Sequence, residues 1–119
     1  MRMNNLLASR NKVVCDSTIQ IGSFCFNPNE QTLQYELELI YLSASETSLM
    51  NLLCNNIAKF VKRDVIAKTI WNEDDPKLKE STLNNIISNL RRYLTKDDNL
   101  ILESRLGLGI RLILEMEKK

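Results

Sequence analysis

The most informative stretch of the chain is STLNNIISNLRRYL, residues 81–94. At about 100° per residue, one narrow stripe of this stretch collects four apolar side chains, those of Leu83, Ile87, Leu90 and Leu94. The opposite side carries Asn, Ser and Arg, and no acidic residue occurs between Ser81 and Lys96. The spacing therefore predicts an amphipathic helix whose polar face lacks carboxylates.

This polar face is unusual for a helix that merely meets solvent. Such faces are normally rich in Glu and Lys, whereas Asn and Ser are mediocre helix formers. An Asn amide matches the donor and acceptor of adenine in the major groove, and Arg suits guanine edges or phosphates. The lack of carboxylates also avoids repulsion from phosphates. The face therefore favours duplex DNA as the partner, while a protein partner or no binding role remains an alternative.

Two shorter helices are predicted before this stretch. Residues 43–46, SASE, form a capping box, in which Ser43 and Glu46 satisfy each other's backbone amides. A second helix is predicted over 63–71, and Pro76 follows its end because proline cannot continue the helical hydrogen bonds. The predicted inner face of this second helix consists of Val65, Ile66, Thr69 and Ile70.

Strand patterns flank the helices on both sides. Ile19 and Ile21, then Phe24 and Phe26, each step by two residues, and residues 27–29, NPN, indicate a turn. Further along, apolar residues alternate with glutamates and predict one half-buried strand, made of Tyr35, Glu36, Leu37, Glu38, Leu39 and Tyr41.

After the helices, two strands over 100–105 and 110–114 are joined by LGLG at 106–109, which predicts a hairpin. The order of sheet, three helices and hairpin predicts an α+β fold.

Length and composition fit one globular domain. The chain has 119 residues, of which 44% are hydrophobic and 26% charged. It has no histidine, which excludes histidine-based triads and zinc sites. The three cysteines, Cys15, Cys25 and Cys54, lack a CxxC spacing, so we expect reduced thiols, with a Cys15–Cys25 disulfide as the alternative. We expect no metal site, no cofactor and no enzymatic activity.

We expect a flexible leader over 1–12 and a folded domain over 13–119. The leader has no apolar core of a signal peptide, so we expect a cytoplasmic chain. Residues 1–56 carry three basic and five acidic side chains, whereas 57–119 carry thirteen and ten. This mild excess of positive charge in the second half is only a weak indication of a polyanionic partner.

Four separated segments resemble the OmpR/PhoB-type winged-helix domains. They are LSASETSL at 42–49, the spacing from Glu46 to Trp71, the stretch 81–94, and GLGIRL at 107–112, where the family has its Gly-x-Gly-Tyr wing. The resemblance covers about 19–114 and implies a winged helix-turn-helix with an N-terminal antiparallel sheet and a C-terminal hairpin wing. The loop from Trp71 to Ser81 is more similar to the ToxR/CadC-like branch, whose DNA-binding module precedes a membrane span.

The resemblance implies a sequence-specific transcriptional regulator of double-stranded DNA, with helix 81–94 in the major groove and hairpin 100–114 near the minor groove. The expected base-reading residues are Asn84, Asn85, Ser88 and Asn89. The expected phosphate or backbone contacts are Ser81, Thr82, Arg91, Arg92 and Lys96. The expected wing residues are Arg105, Gly107, Gly109 and Arg111, and Leu106 stands where the family has its minor-groove basic residue.

Partners other than DNA are implied as well. The family engages RNA polymerase through the loop between its second and third helices, here Glu73, Asp74, Asp75, Lys77 and Lys79. A dimer on promoter DNA and a membrane anchor beyond Lys119 are further expectations from the resemblance. The alternative function is a winged-helix module that binds a protein and makes no DNA contact.

Overall fold

The computed structural model of the chain describes residues 18–115. Within that range the fold is the predicted α+β winged helix-turn-helix. The predicted leader over 1–12 and the alternative disulfide partner Cys15 lie outside the described residues. The elements are β1 (Ile19–Ile21), β2 (Phe24–Asn27), β3 (Thr32–Tyr35), β4 (Glu38–Tyr41), α1 (Ala44–Cys54), α2 (Arg63–Trp71), a 3-10 helix (Pro76–Lys79), α3 (Glu80–Leu94), β5 (Leu100–Arg105) and β6 (Gly109–Leu114).

Strands β1 to β4 form an antiparallel sheet in chain order. Phe26 pairs with Ile19 on one side and with Leu33 on the other, which sets the register. Since successive side chains alternate between the two faces of a strand, one face of the sheet is apolar and buried. Phe24, Phe26 and Leu33 on that face are fully buried and form part of the core.

The prediction of one strand from Tyr35 to Tyr41 is wrong. The segment is a hairpin: β3 ends at Tyr35, which pairs with Glu38 across the two-residue turn at Glu36 and Leu37. Glu36 has a φ of 54°, the left-handed conformation that such tight turns use. The turn reverses the chain, so Leu37 is fully exposed and Tyr41 is 74% exposed rather than half-buried.

The capping box of α1 is confirmed. The Glu46 amide donates to Ser43 Oγ at 3.1 Å, and the Ser43 amide donates to Glu46 Oε1 at 3.0 Å.

Helix α2 has the predicted bounds, but its predicted inner face is partly wrong. Val65 and Thr69 are exposed, whereas Ile66 and Ala67 are buried.

Helix α3 begins one residue before the predicted start, directly after the 3-10 helix. The predicted apolar stripe is confirmed, because all four of its residues and Ile86 are buried. The stripe packs with apolar residues of the sheet, α1 and the hairpin, and together they form one core. Trp71 packs against that core and remains partly exposed.

The C-terminal hairpin is fixed against the segment that links α1 to α2. Val61 forms a bridge with Ile110 beside the start of β6. Gly109 has a φ of 112°, and a Cβ atom on it would collide with the carbonyl group of Val61. Only glycine fits this position. It allows the hairpin to approach the Val61 backbone closely, and this contact sets the orientation of the hairpin relative to the helices.

A buried carboxylate joins the β1–β2 turn to the turn after α3. Asp97 is 7% exposed and accepts hydrogen bonds from the Ser23 amide at 2.8 Å and the Asn99 amide at 2.9 Å. Burial alone would raise the pKa of Asp97, but the hydrogen bonds from Asn99 and Ser23 hold that pKa below its ordinary value. Gly22 makes this arrangement fit, since a Cβ there would lie 2.6 Å from Asp97 Oδ2.

No helix within 18–115 is long and apolar enough to cross a membrane. Cys25 and Cys54 are free thiols, and burial raises the pKa of Cys54 to about 11. Cys54 is therefore a protonated and unreactive thiol near neutral pH.

Candidate nucleic-acid interface

The polar side of α3 lies opposite its buried stripe. We call Ser81, Asn85, Ser88 and Arg92 the outer face, because all four are exposed and point away from the core. Within residues 18–115 the side chains of Ser81, Asn85 and Ser88 make no hydrogen bond to another residue. Their donors and acceptors are therefore available to a ligand. Thr82 is also exposed, on the α1 side of this face.

The two other predicted base-reading amides are engaged by neighbouring elements. Asn84 Oδ1 accepts a hydrogen bond of 3.2 Å from Arg63 at the start of α2. Asn89 Nδ2 donates a hydrogen bond of 3.0 Å to Glu46 Oε2 in α1. Asn84 is exposed and Asn89 is half-buried, so the two amides flank the outer face on opposite sides.

The predicted phosphate-binding cations fall into two groups. Arg91 donates two hydrogen bonds to the backbone carbonyl of Leu102 in β5, at 3.2 and 3.0 Å. Lys96 Nζ lies 2.9 Å from a carboxylate oxygen of Glu38. Arg92 differs from both, because its guanidinium lies 5.6 Å from the ring centroid of Tyr93 and has no carboxylate partner within residues 18–115. Arg92 is thus the cation of α3 that is most available to a polyanion.

One glutamate pairs with both arginines of the wing. Glu103 in β5 lies 2.8 Å from Arg111 and 2.9 Å from Arg105. Hydrogen bonds from Arg111 and then Arg105 lower the pKa of Glu103 below its ordinary value. Arg111 also stacks on Phe60, with 4.3 Å from the guanidinium carbon to the ring centroid. Arg105 is the more exposed of the two cations, so it is the better placed to meet a ligand.

The tip of the wing is apolar. Gly107 has a φ of 82° at the turn, and Leu106 beside it is fully exposed, while Leu108 is 47% exposed. A cleft of about 310 Å³ separates Leu106 and Arg105 from the start of α3. The wing tip and the start of α3 thus border the same cleft.

The acidic loop between α2 and α3 is held by contacts within the loop and with α2. Asp74 pairs with Lys68 at 2.9 Å, and Asp75 accepts a hydrogen bond from the Lys77 amide. Glu73 accepts one from the Asp75 amide, and Lys79 lies over the Trp71 ring. No group of three metal-ligating side chains comes together among the residues that the structure describes.

Arg63 and Glu46 were not among the predicted site residues. Arg63 donates to both Asn84 and Ser104, which lie 21 and 41 positions away in the chain. Glu46 was predicted only as a capping residue, but its second oxygen holds Asn89, 43 positions away. Local patterns carry no signal for contacts between residues so far apart.

Helices α2 and α3 and the adjoining hairpin define a winged helix-turn-helix domain of the kind that binds duplex DNA, in which α3 is the recognition helix. Residues 37–112 match the family described as "Transcriptional regulatory protein, C terminal", and the chain belongs to this family of OmpR/PhoB-type domains. That family is a class of DNA-binding domains of transcriptional regulators and is not an enzyme class.

Individual proteins agree with this assignment. The chain is 32% identical over 94 residues to the transcriptional regulatory protein RprY of Bacteroides fragilis, covering 79% of this chain and 39% of RprY. The DNA-binding domain of CpxR from E. coli superimposes with a TM-score of 0.71 and 20% identity, covering 82% of this chain and 96% of that one. The Klebsiella pneumoniae RstA DNA-binding domain, solved in complex with the RstA box, superimposes with a TM-score of 0.68 and 20% identity, covering 81% of this chain and 96% of that one.

The chain spans about two fifths of the length of the curated relative that it matches.

Proposed function

We propose that the chain binds promoter DNA through the outer face of α3, which lies in the major groove, with hairpin 100–114 near the minor groove. The single observation that carries this proposal is the outer face itself. It is polar, free of carboxylates, and made largely of side chains whose hydrogen-bonding groups are unused within residues 18–115. A major groove admits a helix and offers base-edge donors and acceptors to such side chains.

Within this proposal, Asn85 and Ser88 are the central base-reading residues, and Asn84 and Asn89 read from the flanks. Arg92 contacts a DNA phosphate. Ser81 and Thr82, at the start of α3, contact the DNA backbone. Arg91 and Lys96 are expected to contribute to phosphate binding less than Arg92, because each already has a partner in the fold. Such a division is common, since phosphate contacts position a domain and base contacts specify its site.

In the wing, Arg105 is proposed to contact DNA near the minor groove. Arg111 acts indirectly, because it pairs with Glu103, which is also the partner of Arg105. Gly107 and Gly109 supply the positive φ values that shape the hairpin. Leu106, at the tip, adds no charge, so we expect the wing to contribute little electrostatic affinity.

The acidic loop is proposed as a surface for RNA polymerase, formed by Glu73, Asp74, Asp75, Lys77 and Lys79. Its exposed charges and the 69% exposed Leu78 support a protein partner at this surface. Replacement of all three acidic residues by Ala should leave DNA affinity equal or slightly higher and should change promoter output in a reporter assay. Unchanged output would contradict this role.

Three broader properties are also proposals. A cytoplasmic location is proposed because the leader has no apolar core of a signal peptide. A dimer on DNA is proposed from the family resemblance, and a membrane anchor beyond Lys119 from the resemblance to the ToxR/CadC-like branch. Sedimentation of the chain with and without a duplex that it binds would test the dimer.

Equilibrium binding at several salt concentrations tests the proposed function. The affinity for duplex DNA should fall steeply as salt rises, because each neutralised phosphate releases counterions. A stoichiometric complex with a protein, together with no salt-sensitive DNA binding, would instead support the protein-interaction module.

A further inference from the structure

The amide groups on α3 do not all offer the same chemistry to DNA. An arginine side chain has only hydrogen-bond donors, so the atom of Asn84 that faces Arg63 must be its oxygen. A carboxylate only accepts, so the atom of Asn89 that faces Glu46 must be its nitrogen. The partners therefore fix both amide orientations.

These orientations limit what each amide can recognise. Reading adenine with an Asn requires both amide groups to lie edge-on to the base, with oxygen on N6 and nitrogen on N7. Arg63 turns the oxygen of Asn84 toward α2 and the wing, where the same guanidinium also donates to Ser104 at 3.1 Å. The two N–H donors of Asn84 make no hydrogen bond within residues 18–115, so they are available to a base. Guanine is the base that offers two adjacent major-groove acceptors, N7 and O6.

We infer that Arg63 is a positioning residue that sets the base preference of Asn84 to guanine, and that Asn85 is the amide that reads adenine. The inference rests on the proposed function and adds to it a chemical assignment for two positions of the DNA site. Asn85 qualifies because it is exposed and neither group of its amide is engaged within residues 18–115.

Enrichment of duplexes from a randomised library tests the assignment, since it reports base preference at each position separately from affinity. The chain should enrich a site with guanine at one position and adenine at another. Asn84→Ala should remove the guanine preference and Asn85→Ala the adenine preference, which identifies the two positions.

The decisive variant is Arg63→Met, which keeps an apolar stem and removes the donors. It should reduce the guanine preference at the Asn84 position by about 5-fold or more and admit adenine there. The preference at the Asn85 position should not change. In an Asn84→Ala background, Arg63→Met should cause no further change in preference.

Lys62→Met is the matched control, because it removes the same charge from the neighbouring exposed residue. It should lower affinity for all sequences and leave every base preference intact. Asn84→Asp is a second, independent variant that retains the acceptor for Arg63 but has no donor to present, so it should also lose the guanine preference. Thermal unfolding of each variant reports whether the fold is retained.

Two results would overturn the inference alone. One is an Arg63→Met variant that behaves like Lys62→Met, with uniform weakening and unchanged preferences. The other, which applies even if Arg63→Met does not fold, is an Asn84→Asp variant that still prefers guanine. An unmodified chain that enriches no sequence would overturn the proposed function together with the inference.

Discussion

The side-chain amide of Asn89 donates a hydrogen bond of 3.0 Å to Glu46 Oε2, and this bond joins the recognition helix to the first turn of α1. Glu46 is 6% exposed, and its other oxygen completes the capping box with Ser43. One carboxylate thus stabilises the start of α1 and fixes the rotation of α3 against it.

We therefore expect Asn89→Ala to lower the free energy of unfolding by about 1–2 kcal/mol, because a buried carboxylate oxygen loses its donor. Urea unfolding measures this change. Asn85→Ala, four residues earlier on the exposed side, is the control and should change stability by about 0.5 kcal/mol or less. Equal stabilities for the two variants would contradict a structural role for the Asn89 bond.

Substitutions of Arg91 and Arg92 should have different effects, the first on stability and the second on DNA binding. Arg91→Ala removes two hydrogen bonds to the Leu102 carbonyl and should cost about 1–2 kcal/mol of stability. Arg92→Ala should leave stability nearly unchanged, weaken cognate and random DNA alike, and reduce the salt slope by about one. If Arg91→Ala flattens the salt slope more than Arg92→Ala does, Arg91 and not Arg92 is the main phosphate contact of α3.

Adding a positive charge at the wing tip should strengthen DNA binding. Leu106→Arg places a cation at a fully exposed position beside the cleft that borders α3, so affinity and the magnitude of the salt slope should both rise. Leu37→Arg adds the same charge at an equally exposed position on the β3–β4 turn and serves as the control. If both variants gain affinity equally, the wing is not near the DNA.

Asp97 should make stability depend on pH in the acid range. Its native pKa lies below the ordinary value of 3.8, so the unfolded chain binds this proton more readily than the native chain. The stabilisation is therefore complete above the ordinary pKa and is lost as the pH falls through the native pKa.

The variant Asp97→Asn should lower stability near neutral pH by about 1–3 kcal/mol, because two partly buried backbone amides lose their charged acceptor. It should also unfold with less dependence on pH below about 4. Asp98→Asn, at the exposed neighbouring residue, should do neither. Urea unfolding over a pH series distinguishes the variants, and parallel curves for the two would contradict the role of Asp97.

The positions of the helices and the wing were predicted well, because their signals are local. The capping box at Ser43 and Glu46, the apolar stripe of α3 and the glycines of the hairpin each depend on residues a few positions apart. The Glu36–Leu37 turn was missed, because an alternating pattern runs through it and no Gly, Pro or Asn marks it. Glu36 adopts the left-handed backbone that glycine would normally supply.

The individual contacts of the site were beyond sequence reasoning for a different reason. Helical periodicity placed Asn84, Asn89 and Arg91 on the polar side of α3, and all three flank the buried stripe there. Their partners Arg63, Glu46 and Leu102 belong to other elements, so the packing of the elements decides which amides and cations stay free.

The most direct test of DNA reading by the outer face is the affinity of an Asn85→Ala/Ser88→Ala double variant for a cognate site and for random duplex. Both side chains are exposed and unpartnered within residues 18–115, so the fold should be unaffected. Each lost base contact should cost about 1–3 kcal/mol on the cognate site and little on random DNA, so the ratio of the two affinities should collapse. A double variant that retains the ratio of the unmodified chain would contradict the account.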